Sequence, residues 1–361
     1  MAGSPYASAL GRLQPDMVSF LSKETYATLL AAKDFDDAAK VLESTSYADD
    51  FAHVAALHQG APRLRSVTAA INRMLVRRNR RALEATPFAG RPLVGAYLGR
   101  WDVQNVELIL SSKAQHRPIT ETEAEILSSR DIPAGLYAGV MTLDDIRGVV
   151  AQPTVEATVN ALVRFGYGTT ILPFLETYQR THDIFPIFHA LDAQYYRNVL
   201  GAARFFQGDE WVVRQYLGGE IDQRNILLLL KGKAHGLPVE EVQNRWLEGG
   251  SLPLAQVSDL LTARTVPELI ERLVARSPSL PEGNAEYAAT ESLTGYESAL
   301  LLDRVTAELK RLRTYPLSIS VVFTYLLRAE LERSDLRRIT FGRLYNMPTE
   351  RISPLLVSPR L

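Results

Sequence analysis

Residues 97–118 read YLGRWDVQNVELILSSKAQHRP, and two later stretches repeat this pattern. They are YLGGEIDQRNILLLLKGKAHGLP at 216–238 and YLLRAELERSDLRRITFGRLYNMP at 325–348. The copies lie 120 and 110 residues apart, so the repeated unit has the size of a small domain. The sequence therefore predicts an architecture of three related units.

Each copy carries the same residue types in the same order. A Tyr-Leu pair comes first, an acid follows, and an Asn or Asp stands three residues after the acid. A base follows eight residues later and a proline five residues after the base. We call the following the signature residues: Tyr97, Asp102, Asn105 and Lys113; Tyr216, Asp222, Asn225 and Lys233; Tyr325, Glu332, Asp335 and Arg343.

Helix capping is the plainer of two interpretations of the signature residues, and we favour it. An acid can cap a helix start, and an Asn or Asp one turn later can satisfy first-turn amides. The base would oppose the negative pole at the helix end, and the proline would stop the helix. In the other interpretation, Asn105, Asn225 and Asp335 line a shared central surface, which three related units would allow.

Helical periodicity dominates the rest of the chain. Val94, Tyr97, Leu98 and Trp101 follow the i, i+3, i+4, i+7 spacing of one helix face. Segments that alternate with period two are short and few, and Gly and Pro fall mostly between periodic segments. We therefore predict an all-α fold.

A second repeated element is a short helix with acids near its start. The match relates residues 29–42, 140–150 and 260–273, which contain Asp36-Asp37, Asp144-Asp145 and Glu268. Together with the signature residues, these elements predict similar helical-bundle units at 1–127, 128–247 and 248–361.

Composition excludes several classes of function. A net charge of −1 over 361 residues gives no overall attraction to nucleic acid or to an anionic membrane. The absence of cysteine excludes thiolate catalysis, disulfides and cysteine-ligated metals. No apolar run approaches the ~18 residues of a spanning helix, and the N-terminus lacks a secretory pattern. We expect a soluble protein that works at a membrane only by docking on something already there.

The sequence shows no constellation for catalysis or for cofactor binding. Its six histidines have no metal-binding spacing, and the motifs HExxH and GxSxG are missing. The Lys231–Ala234 segment lacks the glycines and the hydroxyl residue of a nucleotide loop. We therefore expect no catalytic residue, no metal and no cofactor.

A basic cluster is the one marked charge feature. Arg73, Arg77 and Arg81 share one helical face at i, i+4 and i+8. No aromatic residues interleave the cluster, which favours a solvated or protein-docking face over nucleic-acid binding. We predict that Arg73, Arg77, Arg80 and Arg81 contribute to a docking face.

The three signatures together resemble those of one family of rotary-ATPase proteins. This is the C subunit of the vacuolar-type and archaeal-type enzymes, known as the d subunit in eukaryotes. The family repeats a Tyr-Leu, acid, Asn-Leu, Lys-Ala-Lys signature, and residues 6–30 also look like its start. In this chain Asp335 replaces the Asn, and Leu327 stands where Gly99 and Gly218 follow the Tyr-Leu pair.

The resemblance implies an α-helical funnel of three similar bundles around a pseudo-three-fold axis. It implies a non-catalytic socket that sits on the membrane rotor ring and receives the end of the central shaft, in support of proton or sodium transport. The implied partners are the central-shaft subunits of the soluble head and the rotor ring, without nucleic acid. Membrane contact would be only through the ring. The implied place is the cytoplasmic face of a membrane, and we expect a prokaryotic cell membrane rather than a eukaryotic vacuole.

Two alternatives from other classes stay open at this point. A helical-repeat scaffold with unrelated partners would stack its units along a line, whereas a socket closes them around an axis. An enzyme with an unrecognised site would show a deep pocket with several titratable groups in perturbed environments.

Overall fold

The computed structural model describes residues 4–57, 60, 62–119, 122, 126, 141–205, 210–276 and 292–361. Within these ranges every regular element is a helix and there is no β-strand. The all-α prediction is therefore confirmed.

The helices are numbered in chain order. Those before residue 119 are α1 (Tyr6–Leu13), α2 (Lys23–Ala31), α3 (Phe35–Glu43), α4 (Ala48–Leu57), α5 (Arg63–Ala85), α6 (Arg91–Leu98) and α7 (Arg100–Ala114). The next are α8 (Leu143–Val150), α9 (Val155–Leu162), α10 (Gly168–Thr181), α11 (Phe185–Phe205), α12 (Glu210–Ala234) and α13 (Val239–Asn244). The last are α14 (Val257–Leu261), α15 (Val266–Arg276), α16 (Leu293–Arg313), α17 (Ser320–Leu344) and α18 (Thr349–Ile352). Short 3-10 turns lie at Pro15–Ser19, Phe88–Gly90, Val163–Phe165, Leu254–Gln256, Ser353–Leu355 and Ser358–Arg360.

Side-chain caps start several of the short helices. The side chains of Ser22 and Asp34 each accept a hydrogen bond from the amide three residues further on, at the starts of α2 and α3. Thr142 and Asp145 form a reciprocal capping box at the start of α8. Each cap satisfies an amide that has no partner within the helix, which contributes about 1 kcal/mol.

Three long helical segments carry the signature residues: α6 with α7, α12, and α17. We call them the signature helices. Near their starts the rings of Tyr97, Tyr216 and Phe323 pack together, with centroids 5.9 Å (Tyr97–Tyr216), 4.9 Å (Tyr97–Phe323) and 5.5 Å (Tyr216–Phe323) apart. All three rings are buried, so the starts of the signature helices converge on one apolar centre.

The C-terminal halves of the signature helices pack on different neighbours. Leu336 of α17 is buried with residues of α2 to α5. Leu229 of α12 is buried with residues of α13 to α16, whereas Ile109 of α7 joins the central cluster together with α8 and α9. Burial of one such leucine or isoleucine contributes about 1.5–3 kcal/mol. The signature helices are therefore held apart at their C-terminal ends.

The signature helices end in the same turn. His116, Gly236 and Asn346 follow α7, α12 and α17 with φ angles of 54°, 65° and 53°. The amide of the next residue donates back to the carbonyl five residues earlier in each case, at 2.9, 2.8 and 2.7 Å. The left-handed residue thus ends each helix, and the signature proline comes two residues after it.

Candidate functional site

The second and third signature acids hold segments that are distant in sequence. Asp222 accepts hydrogen bonds from the amides of Ser251 and Leu252, both at 3.0 Å. Glu332 accepts one from the amide of Leu21 at 2.7 Å. Both acids lie well inside the continuous helices α12 and α17. The expectation that they cap a helix start is therefore wrong.

Glu332 also forms a buried ion pair. The Arg78 Nη1 donates to it at 2.7 Å and the Tyr47 hydroxyl at 2.8 Å, and the Arg78 and Glu332 side chains are each 3% exposed. Arg78 further donates to the Ser19 carbonyl at 3.0 Å and lies 3.9 Å over the Phe20 ring. Burial opposes the charge on Arg78, but Glu332 outweighs it and raises the pKa of the guanidinium.

In the first copy the signature acid and amide are both buried. Asp102 is fully buried beside Tyr167, and burial raises the pKa of its carboxyl to about 7. Asn105 is 1% exposed. Asp102 therefore carries a proton more readily than an ordinary aspartate does.

Asn225 and Asp335 each clamp a backbone segment 22 residues downstream. Asn225 donates to the Leu247 carbonyl at 2.8 Å and accepts from the Leu247 amide at 3.0 Å. Asp335 accepts from the amides of Val357 at 3.2 Å and Ser358 at 2.7 Å. A carboxylate has no donor, so the Asp copy binds two amides where the Asn copy binds one amide and one carbonyl.

The signature bases cap the C-terminal ends of other helices. Lys113 Nζ donates to the carbonyl of the last residue of α8 at 2.5 Å, and Lys233 Nζ to that of α14 at 3.4 Å. Arg343 donates to the Leu30 carbonyl near the end of α2. A cation at this pole of a helix is stabilising. Helices α2, α8 and α14 thus hold equivalent places. The predicted match of Asp144-Asp145 in α8 with Asp36-Asp37 in α3 is therefore wrong, because α8 corresponds to α2.

The three signatures link the chain in a closed order. The first holds α8, the second holds α14, and the third holds α2 and the residue that precedes its cap. The contacts of Glu332 with Leu21 and of Arg343 with Leu30 span 311 and 313 residues. If the units were stacked in an open line, the third signature would have no contact with the helices at the start of the chain. The pseudo-three-fold axis itself stays a prediction.

Arg100, Glu220 and Glu330 meet where the signature helices converge. Each stands five residues before the signature Asn or Asp of its copy. Arg100 Nη2 lies 2.9 Å from Glu220 Oε2, and Nη1 lies 3.1 Å from Glu330 Oε2. The three side chains are only 12–15% exposed. We call this set the central triad.

Tyrosine hydroxyls complete the hydrogen bonding of the central triad. Tyr97 donates to Glu330 at 2.9 Å and Tyr196 donates to Glu220 at 2.6 Å. Burial would raise the pKa of Glu220, but neighbouring arginines, above all Arg100, outweigh it and hold the pKa at about 2. Burial raises the pKa of Glu330, since the one guanidinium of the triad is shared with a second carboxylate.

A cavity of about 800 Å³ opens beyond the central triad, between α5, α7 and α17. Residues three to four positions apart share a helix face. Gln104 therefore continues the face of Arg100, and Arg333 and Arg337 continue the face of Glu330, and all three line the cavity. The central triad does not itself line the cavity, and it lies on the side toward which α7 and α17 converge.

The cavity lining is rich in positive charge. Among the described residues that line it, Arg65, Arg117, Arg333 and Arg337 are basic and Glu107 is the one carboxyl group. Burial, with a contribution from a nearby aspartate, raises the pKa of Glu107 to about 8. Glu107 is therefore mostly neutral at pH 7, so the charged side chains among these lining residues are arginines.

The structure gives each arginine of the predicted docking face an acid within the chain. Arg73 and Arg77 pair with the buried Asp50 at 3.2 and 2.8 Å. Arg80 and Arg81 each pair with a partly exposed acid, at 2.5 and 3.6 Å. The arginines at 77, 80 and 81 are still 41–51% exposed, so their docking role stays a prediction.

Neither a metal centre nor a membrane-spanning helix is found in the described part of the chain. No group of three or more His, Cys, Asp or Glu in it could hold a metal ion. None of its helices is both long and apolar enough to cross a bilayer.

The fold and the cavity define a closed helical body rather than an open helical repeat. The model of the ATP synthase (C/AC39) subunit family matches residues 17–355, and the chain belongs to this family. The A-type ATP synthase C subunits of Thermoplasma acidophilum and Thermoplasma volcanium are each 33% identical to it, over 355 and 353 residues. These alignments cover 98% of this chain and 99% and 98% of the relatives. The A-type ATP synthase C subunit of Methanocaldococcus jannaschii is 27% identical over 279 residues, which make up 76% of this chain and 67% of that protein. The family resemblance read from the three signatures is confirmed.

Proposed function

We propose that this chain is the non-catalytic socket of the central stalk in an A-type rotary ATP synthase. In this role it receives the end of the rotating shaft in its cavity and transmits torque to the membrane rotor ring. The complex would move protons or sodium ions, and the chain would lie on the cytoplasmic face of a prokaryotic cell membrane. Its contact with the membrane would be only through the ring.

The central cavity carries this proposal. It opens between α5 and the first and third signature helices, on the side where these two helices have diverged from the central triad. Torque transmission requires that the walls of such a cavity do not spread. The ion pair of Arg78 with Glu332 supports that requirement, because it fastens the last signature helix to the first helices.

The opposite end supports docking to the ring. Exposed apolar side chains stand just before or at the start of each signature helix: Phe88 is 87% exposed, Trp211 41%, Tyr315 41% and Leu317 53%. The Trp211 and Tyr315 rings are in contact, with centroids 5.0 Å apart. A cluster of exposed large apolar residues is typical of a protein interface.

We also propose the division into three units at 1–127, 128–247 and 248–361 around a pseudo-three-fold axis. The equal spacing of the central triad from the signature Asn or Asp supports it. So does the shared order of contacts, in which each signature binds helices of the next unit. The closed order and the family membership favour the socket over an unrelated helical-repeat scaffold.

Site-directed cross-linking tests the proposal, because the chain has no cysteine of its own. Tyr345→Cys places a thiol at the mouth of the cavity, where Tyr345 is 74% exposed. Phe88→Cys places one in the turn whose Gly90 lies beside Ile319, at the start of α17, and this 25-residue helix is ~35 Å long. Arg180→Cys on the exposed face of α10 is the control.

Each variant would be labelled with a photoreactive maleimide and assembled into membranes of the source organism. We expect the thiol at position 345 to cross-link to shaft subunits and the thiol at position 88 to ring subunits. The control thiol should cross-link to neither. The socket would be refuted if the thiols at positions 345 and 88 both cross-linked to the same partner, or if neither cross-linked to a shaft or ring subunit.

A further inference from the structure

Two arginines of the cavity wall, Arg333 and Arg337, contact neutral side chains. Arg333 is 8% exposed, and its Nε donates to the Asn72 side chain at 2.9 Å. Arg337 lies 5.9 Å over the Phe341 ring. Within the described part of the chain, no carboxylate forms an ion pair with either guanidinium. A buried cation without a counter-ion is costly, so a site of this kind favours an anionic occupant.

The surroundings of Arg333 increase this effect. Burial and the nearby Arg337 lower the pKa of Arg333 to about 9, which still leaves it charged at neutral pH. Glu107 is mostly neutral there, as described above. The guanidinium charges of Arg333 and Arg337 therefore lie near each other, and the charge of the buried Arg333 is screened by salt less than a surface charge would be.

The size and the wall of the cavity restrict what can occupy it. A volume of about 800 Å³ accommodates roughly two turns of a single helix, given a helix diameter of ~10 Å. Leu108, Phe188 and Phe341 also line the cavity and give it an apolar side.

We infer that the cavity binds the tip of one amphipathic helix of the shaft, and that carboxylates on this tip pair with Arg333 and Arg337. This inference rests on the proposed socket function and adds the chemistry of the partner. A guanidinium binds a carboxylate through two parallel hydrogen bonds, so the pairing also fixes the rotation of the tip in the socket. The apolar face of the tip would lie against Leu108, Phe188 and Phe341.

Binding of the shaft to the full-length chain tests the inference. The shaft subunits of the same complex are the probe, and the dissociation constant is measured at several NaCl concentrations. The variants are Arg337→Gln, which removes the charge, and Arg337→Lys, which keeps it. Arg180→Gln makes the same change at an exposed position outside the cavity.

We expect Arg337→Gln to weaken binding roughly tenfold to hundredfold and to reduce its salt dependence, because an interfacial charge pair is lost. Arg337→Lys should lose less affinity, and Arg180→Gln should bind as the original chain does. Gln has nearly the helix propensity of Arg, so circular dichroism should show each variant folded.

The outcomes separate the inference from the function on which it rests. If the original chain and Arg180→Gln both fail to bind the shaft, the socket function is refuted and this inference with it. If both bind and Arg337→Gln binds equally well, the acidic tip is refuted while the socket stands. In that case, inorganic phosphate is added to both chains. If it raises the melting temperature of the original chain but not of Arg337→Gln, this result assigns the cavity to a free anion instead.

Discussion

The buried pair of Arg78 and Glu332 should be the strongest single link between the two ends of the chain. Three donors converge on the Glu332 carboxylate: the Arg78 guanidinium, the Tyr47 hydroxyl and the Leu21 amide. Glu332→Gln keeps the shape but replaces one acceptor oxygen by an NH2 group. At least one donor then faces another donor, and the buried charge of Arg78 loses its counter-ion.

The expected loss is large because neither partner can reach water. Both side chains are 3% exposed, and breaking a buried ion pair by removing one partner costs about 3–5 kcal/mol. Urea unfolding followed by circular dichroism measures the loss, and hydrogen exchange at the Leu21 amide should accelerate in parallel. Glu350→Gln makes the same change at an exposed residue, and it should shift stability by less than ~0.5 kcal/mol.

A double-mutant cycle with Arg78→Met isolates the pair itself. Part of the loss in Glu332→Gln is the unpaired Arg78, so the double variant should be less destabilised than the sum of the two single variants. A loss below about 1 kcal/mol in Glu332→Gln would show that water or another group compensates the site. Purely additive losses would show that the two side chains act independently. Either result would refute the reasoning.

Three further changes should have measurable effects. Asp102→Asn should stabilise the protein at pH 8. Folding raises the pKa of this carboxyl from 3.8 to about 7, so the free energy of unfolding falls by up to about 4 kcal/mol as pH rises through that interval. The two proteins should unfold alike at pH 4, and equal urea midpoints at pH 8 would contradict the expectation. Asn225→Ala removes both hydrogen bonds to the Leu247 backbone and should cost about 2–3 kcal/mol in urea unfolding, whereas an unchanged midpoint would show that the clamp is dispensable. Asn346→Gly should raise stability by roughly 0.5–1 kcal/mol in calorimetry, since glycine adopts the φ of 53° without strain, and a lower melting temperature would count against this account of the helix end.

The helical class and the family could be predicted from the sequence because each corresponds to a pattern that is visible in it. Period-3.6 stripes require only neighbouring residues, and the signature recurs in order in each copy. The partners of the signature residues could not be predicted in this way. Glu332 binds the amide of Leu21, 311 residues away, and a residue type alone does not show which backbone segment will fold back to it.

The central triad was missed although the sequence contains a signal for it. Arg100, Glu220 and Glu330 stand at one offset from the signature Asn or Asp, and their charges are complementary. Alignment on the Tyr-Leu pair hides this equivalence, because the distance from Tyr to Asn or Asp grows by one residue per copy. Alignment on the Asn or Asp would have placed the three residues together. The cavity itself depends on how the helices diverge, and no local pattern encodes that.

The closure of the last signature helix on the first helices also has a consequence for biosynthesis. At 5–20 residues per second, a ribosome adds the ~310 residues between Leu21 and Glu332 in roughly 15–60 s. Throughout this interval the apolar faces of α2 and α3 lack Leu336 and Ile339, against which they are finally buried. The nascent N-terminal segment therefore keeps apolar surface exposed until translation is nearly complete. A chaperone that shields this surface in the meantime would raise the yield of assembled protein.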